Sequence, residues 1–273
     1  MEIGASLAQL ELFASDPPAL AAFYAKTFCL DATAVGDTLD CAAPGRRLAL
    51  VPGEPGQLRS AAFRFHTTAQ FDAQREHLAG HGLLAAEGND GSYTVRDPEG
   101  RLITFLPPSA VQVAAEDGGA ALSARLQHFA VRTPTPQALV AFYVDRLGFV
   151  LSDRVLDETG ELTAAFLRTD AEHHAMAVFR ASQVRFDHFS CETRDWAHLR
   201  DWADHMAKVG VDLCWGVGRH GPGNDTFFMV RDTEGNLGEI SSDLESCEPG
   251  RPAGTWPHRP QTLNQWGVAL MRS

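Results

Sequence analysis

The sequence predicts an α+β fold of tandem βαβββ modules paired into two open barrels, and three observations carry that prediction. Residues 7–30 (LAQLELFASDPPALAAFYAKTFCL) lie over residues 126–149 (LQHFAVRTPTPQALVAFYVDRLGF) without a gap, at a constant offset of 119, and share the run Ala-Phe-Tyr. The segment VRDPEGRL at 95–102 recurs as VRDTEGNL at 230–237, so both the beginning and the end of each half repeat. Within each half, an apolar strand, an amphipathic helix and alternating strands broken by Gly, Asp and Pro come twice.

In the first module, Leu20, Phe23, Tyr24 and Phe28 fall at helical spacing after Pro17 and Pro18, and proline suits a helix start. In the last, Trp196, Leu199, Trp202, Ala203 and Met206 line one helix face, Thr193 or Asp195 caps it, and Gly210 ends it. Aromatics at that spacing read as a core stripe rather than a cofactor box. Four modules follow, near residues 5–52, 58–107, 125–180 and 184–242. The strands are too separated for parallel winding throughout, and the helices too many for an all-β sandwich. The stretch AAEDGGAALSA, residues 114–124, has the small, aperiodic composition of a linker, which places the domain boundary at Gly118 and gives domains 1–118 and 119–273.

Composition narrows the partners. A chain of 273 residues is long enough for two domains, and 44% hydrophobic against 21% charged residues is ordinary for a folded protein. The net charge of −12 repels phosphate backbones and anionic lipid, so neither nucleic acid nor membrane is an expected partner. No run approaches a membrane span, and no basic segment precedes an apolar one at the N-terminus. The five cysteines are scattered and form no CxxC, as fits reduced thiols. A cytoplasmic protein is the expectation. There is no GxxxxGK[ST] and no GxSxG, so neither a nucleotide loop nor a nucleophile elbow is indicated.

Three ionisable residues occupy strand positions where apolar ones are expected: His128 in LQHFAVR, His188 in RFDHFSC and Glu239 in NLGEISSD. By strand alternation they share their faces with Ala130, Ser190 and Ser241, small residues that leave room beside them. Two imidazoles and one carboxylate are the donors of a non-haem iron site with open positions. Each residue alone reads more simply as a satisfied core or surface group. The repeat provides a control, because the aligned first-half positions are Gln9, then Ala62 or Phe63, then Thr104, which make no ligand set. A group confined to the second half points to a site there.

With these residues in hand, the chain resembles the two-domain type I extradiol ring-cleavage dioxygenases of the vicinal oxygen chelate superfamily. The resemblance covers nearly the whole length and is most specific in GRHGPGNDTFFMVRDTEGNLGE, residues 218–239, with HHAMAVF, DHFSCET, Trp256 and NQWG at 264–267 following the family's order. It implies a metal-free N-terminal half, and Fe(II), more rarely Mn(II), on His128, His188 and Glu239. It also implies a small aromatic diol and O2 as substrates, and a homo-oligomer. His174 aligns with an acid/base near the metal, and His220 with a residue that hydrogen-bonds a substrate hydroxyl; alone, they would read as a surface pair with His173 and a loop histidine.

Two departures stand out. Met229 occupies the position of the family's tyrosine, which by the resemblance would line the substrate site, and Asp232-Thr233 stands for Asp-Pro. A thioether packs and accepts weakly where a phenol donates. Met229 therefore leaves open a metal-dependent isomerase, hydrolase or lyase on the same fold, or a metal-independent binding protein.

Overall fold

Each repeat folds in the order its sequence pattern predicts, and the computed structural model describes residues 2–83, 86–109 and 122–271. The expected boundary at Gly118 lies outside the described residues. The first half runs β1 (Ala5–Ala14), α1 (Pro17–Phe28), β2 (Asp31–Val35), β3 (Thr38–Ala43), β4 (Arg46–Pro52), β5 (Leu58–Phe65), α2 (Thr68–Gly80), β6 (Ala86–Glu87), β7 (Tyr93–Arg96) and β8 (Leu102–Leu106). The second repeats it as β9 (Arg125–Thr133), α3 (Pro136–Ala141), β10 (Val150–Leu156), β11 (Leu162–Arg168), β12 (Met176–Arg180), β13 (Arg185–Glu192), α4 (Trp196–Lys208), β14 (Trp215–Arg219), β15 (Thr226–Arg231) and β16 (Leu237–Ser242). A tail adds β17 (Gly254–Pro257) and α5 (Pro260–Leu263). No described helix is long and apolar enough to cross a membrane.

The two modules of a half share one sheet. The first is ordered β2-β3-β4-β1-β5-β8-β7-β6 and the second β14-β15-β16-β13-β9-β12-β11-β10-β17, so each sheet stays open at both ends among the described residues. Modules join through antiparallel pairs, β1 with β5 and β9 with β13, while the first and last strands of each module run parallel. This layout puts β16, β13 and β9 side by side at the centre of the second sheet.

Local signals act as expected at the helix ends. Pro17 and Pro18 open α1, where Asp16 accepts from Ala19 N at 3.0 Å. On α4 the cap is Asp195, which accepts from His198 N at 3.1 Å, whereas the Thr193 hydroxyl donates to Ser123 O. Leu199, Trp202 and Met206 are buried, but Trp196 is 48% exposed, which corrects the expected stripe. The first turn of α4 overhangs the core, and Trp196 meets Trp266 of the tail edge-on at 5.7 Å instead.

The main core is continuous across the halves. Phe28 of α1 packs on Phe189 of β13 at 4.9 Å and Trp202 of α4 at 6.5 Å. Gly238 admits this approach, since a Cβ there would stand 2.5 Å from the Phe28 ring. The first half therefore backs the strand that carries Glu239.

Candidate metal centre

His128 on β9 and Glu239 on β16 each lie directly opposite Ser190 of the intervening β13, and His188 is two residues along from Ser190 on the same face. Ser190 Oγ donates to Glu239 Oε1 at 2.7 Å and pairs with Ser241 Oγ at 3.0 Å, so the small residues expected beside the site brace its carboxylate. The donor atoms of His128, His188 and Glu239 all lie within 4.8 Å of one another, and all three residues are buried.

The histidine tautomers follow from their neighbours. His128 Nδ1 donates to Gln127 Oε1 at 2.5 Å, and His188 Nδ1 donates to Asp187 Oδ1 at 2.6 Å. Neutral rings so tied carry their lone pairs on Nε2, yet the two Nε2 atoms face each other at 3.2 Å. Two opposed lone pairs call for a cation between them. Bonds of about 2.1 Å meeting near a right angle set two nitrogens about 3 Å apart, so this spacing suits one metal ion.

Electrostatics agree with that reading. Burial is the largest influence on His128 and, against the pull of Glu239, brings its pKa down to about 3, leaving a neutral donor. Burial opposes ionisation of Glu239, but His220, His128 and His188 overcome it and lower the carboxyl to about 2. Glu239 Oε2 nevertheless has no hydrogen-bond partner, a buried carboxylate oxygen that a metal would satisfy.

His128, His188, His174, His220 and Met229 line one narrow cavity with Phe166, Phe179 and Trp215 among its walls. Glu239, fully buried, has Oε1 3.6 Å from His128 Nε2 and Oε2 3.5 Å from His220 Nε2. All six residues singled out in the sequence thus come together. His174 stacks obliquely on His128 with centroids 4.3 Å apart. His220 lies flat on Phe227 at 3.7 Å, held by Leu263 O at 2.5 Å from Nδ1. Met229 pairs with Glu239 across β15 and β16, so it faces the cavity.

The control in the first half needs one correction. Ser60 pairs with Leu102 as His188 pairs with Leu237, so the counterpart of His188 is Ser60, not Ala62 or Phe63; Ala62 corresponds to Ser190. The two segments between the repeated motifs differ in length, so neither motif's offset carries over to this strand. Gln9, Ser60 and Thr104 still make no ligand set.

Sequence reasoning passed over Gln127 and Asp187, although each stands immediately before a site histidine. It also passed over Asp225, fully buried with neither carboxylate oxygen hydrogen-bonded. Burial raises its pKa to about 7 against the pull of His220. His220, Asp225 and Glu239 form a second group of converging donors that shares Glu239 with the first.

Comparison with known proteins places the chain in a family. Residues 6–105 and 125–240 match the Glyoxalase/Bleomycin resistance protein/Dioxygenase superfamily. Metapyrocatechase 2 of Cupriavidus necator is 31% identical over 222 residues, spanning 72% of this chain and 68% of its own. Two solved structures share the fold. The Mn(II)-bound glyoxalase of Novosphingobium aromaticivorans has a TM-score of 0.79 at 21% identity, covering 99% of this chain and 93% of the other. The anaerobic substrate complex of homoprotocatechuate 2,3-dioxygenase from Brevibacterium fuscum has a TM-score of 0.80 at 22% identity, covering 99% and 91%. From the two matched segments and the identity to this relative, the chain belongs to the glyoxalase/bleomycin resistance protein/dioxygenase superfamily and, within it, to the extradiol ring-cleavage dioxygenases.

Proposed function

We propose that the protein is an Fe(II)-dependent extradiol dioxygenase that inserts both atoms of O2 into a catechol-type aromatic diol and opens the ring beside the diol. The observation that carries this reading is the pair of imidazole Nε2 atoms of His128 and His188, facing each other 3.2 Å apart beside the unpartnered Oε2 of Glu239. His128, His188 and Glu239 are the residues that would hold the metal, Fe(II) in preference to Mn(II). When bound, the metal supplies a Lewis acid for the two diol oxygens and the electron exchange with O2 that side chains lack.

The chain's own residues bind, orient and move protons. His174, neutral because burial and the surrounding histidines lower its pKa, accepts a proton from a diol hydroxyl. Burial opposes the charged form of His220, but Asp225 and Glu239 prevail and raise its pKa, so it serves as a hydrogen-bond donor to a substrate oxygen. Phe166, Phe179, Trp215 and Leu263 offer apolar walls that exclude water from the ring. Among the described residues no Lys or Arg lines the cavity, so the favoured diol bears an uncharged ring, and a carboxylated catechol binds more weakly.

A second reading, a metal-dependent isomerase, hydrolase or lyase without O2, draws support from Met229, which removes a phenolic donor beside Glu239. The deciding experiment loads the protein anaerobically with Fe(II), adds monocyclic and bicyclic catechols, then admits O2 and follows its uptake and yellow product. Uptake with ring opening supports the dioxygenase; metal-dependent conversion without uptake overturns it in favour of the second reading; binding with neither leaves a sequestration protein. Self-association is part of the proposal, and light scattering reads it.

A further inference from the structure

Behind His174, away from the three proposed ligands, lies a buried chain of groups that the proposed chemistry does not use. His173 Nδ1 faces His174 Nδ1 at 3.0 Å, and His173 Nε2 contacts Asp153 Oδ2 at 3.2 Å, bent out of hydrogen-bond line. His173 is 0% exposed and Asp153 1%. Asp153 is in turn gripped by the tail: Trp256 Nε1 donates to Oδ2 at 2.6 Å, and Gly254 N and Arg251 donate to Oδ1 at 3.1 Å each.

We propose that Asp153 and His173 are positioning residues that fix the tautomer of His174. The negative charge of the carboxylate, 3.2 Å away, favours the His173 proton on Nε2, which leaves Nδ1 of that ring with a lone pair. Two nitrogens 3.0 Å apart share one hydrogen. It therefore belongs to His174 Nδ1, and His174 Nε2 is left with the lone pair, ready to take a proton in the cavity. An imidazole in the wrong tautomer would present an N–H there and could accept nothing. Burial raises the Asp153 pKa, but His173 first and then Trp256 and Arg251 lower it to about 2, which keeps the carboxylate ionised. The tail thus reaches the reaction through a carboxylate and two rings, and not through packing alone.

The catalytic half of this inference rests on the dioxygenase reading; the tautomer does not. The test is nitrogen-15 NMR of histidine-labelled full-length protein loaded with Zn(II), paired with kinetics of the Fe(II) form. The expected result is a His174 proton on Nδ1 in the wild type and loss of that preference in His173→Phe. In the same variant kcat falls roughly 10- to 100-fold, while KM and metal content stay within about twofold. His173→Asn, whose amide oxygen can accept from His174, should recover much of the loss. A wild-type His174 protonated on Nε2 overturns the inference, whether or not His173→Phe folds. An unchanged tautomer or unchanged kcat in a folded variant also overturns it, as does a loss matched by loss of metal. If the tautomer behaves as expected and no diol is turned over, the positioning stands and the dioxygenase reading fails.

Discussion

Tyr24 of the first half donates to Asp232 Oδ2 of the second at 2.7 Å, and the reciprocal bond, Tyr143 to Asp97 Oδ2 at 3.1 Å, runs the other way. These are the tyrosines of the two Ala-Phe-Tyr runs and the aspartates of the two Val-Arg-Asp runs, so the repeated motifs meet each other across the halves. Each aspartate also organises its own turn, Asp97 Oδ1 accepting from Glu99 N and Arg101 N and Asp232 Oδ1 from Glu234 N and Asn236 N. The turn at Asp232 leads into β16 and hence to Glu239. A helix from the first half thereby secures the strand that bears the carboxylate.

Tyr24→Phe should cost about 1.5–3 kcal/mol, the value of a buried hydrogen bond to a charged group, because Asp232 keeps its burial and loses a donor. Tyr143→Phe should cost a similar amount from the opposite side. Since the core crosses between the halves, denaturant unfolding of either variant should remain one transition in which both halves are lost together. Two separated transitions, or an unchanged midpoint, would contradict the clamp.

Asp187→Asn should weaken metal binding by roughly 10-fold or more, because the carboxylate that orients His188 and sharpens its Nε2 lone pair is replaced by a neutral acceptor. Gln127→Leu should act likewise through His128. Competition against a chelator, with Fe(II) and Mn(II) in separate titrations, measures this directly; wild-type affinity in both variants would show that the two partners do not tune the site.

These partners mark the limit of what the sequence made legible. The four modules could be read because repeated motifs and helix spacing are local patterns, and His128, His188 and Glu239 because an ionisable residue on an apolar strand is conspicuous. Gln127 and Asp187 were not, since strict alternation points each away from the histidine that follows it, and on β13 the register shifts between Phe186 and His188. Asp225 was missed because its significance lies in a neighbour fourteen residues away in sequence, Glu239. Trp196 was misjudged because helical spacing identifies a face but not how far the core beneath it extends.

Met229→Tyr should change catechol turnover or affinity measurably without altering metal content. The side chain is buried opposite Glu239 on the cavity wall, and a phenol there adds a donor where the thioether only packs. Steady-state kinetics on the same catechol panel check the point. Identical kcat and KM in the two proteins would remove Met229 from the site.

Asp153 also makes the fold sensitive to acid in a direction that can be worked out. Its pKa is about 2 against an ordinary 3.8: burial raises it, and the contacts from His173, Trp256 and Arg251 more than reverse that. A carboxyl depressed in the folded state stabilises it above the unfolded pKa, and this contribution is lost as pH falls from about 4 towards 2. The difference amounts to about 2 kcal/mol. Asp153→Asn, which cannot titrate, should therefore be less stable than the wild type near pH 6, and the gap should shrink by about that amount as unfolding is measured at successively lower pH. A gap that stays constant down to pH 2.5 would mean that Asp153 is not held ionised by these contacts, and that the tail is anchored by its neutral hydrogen bonds alone.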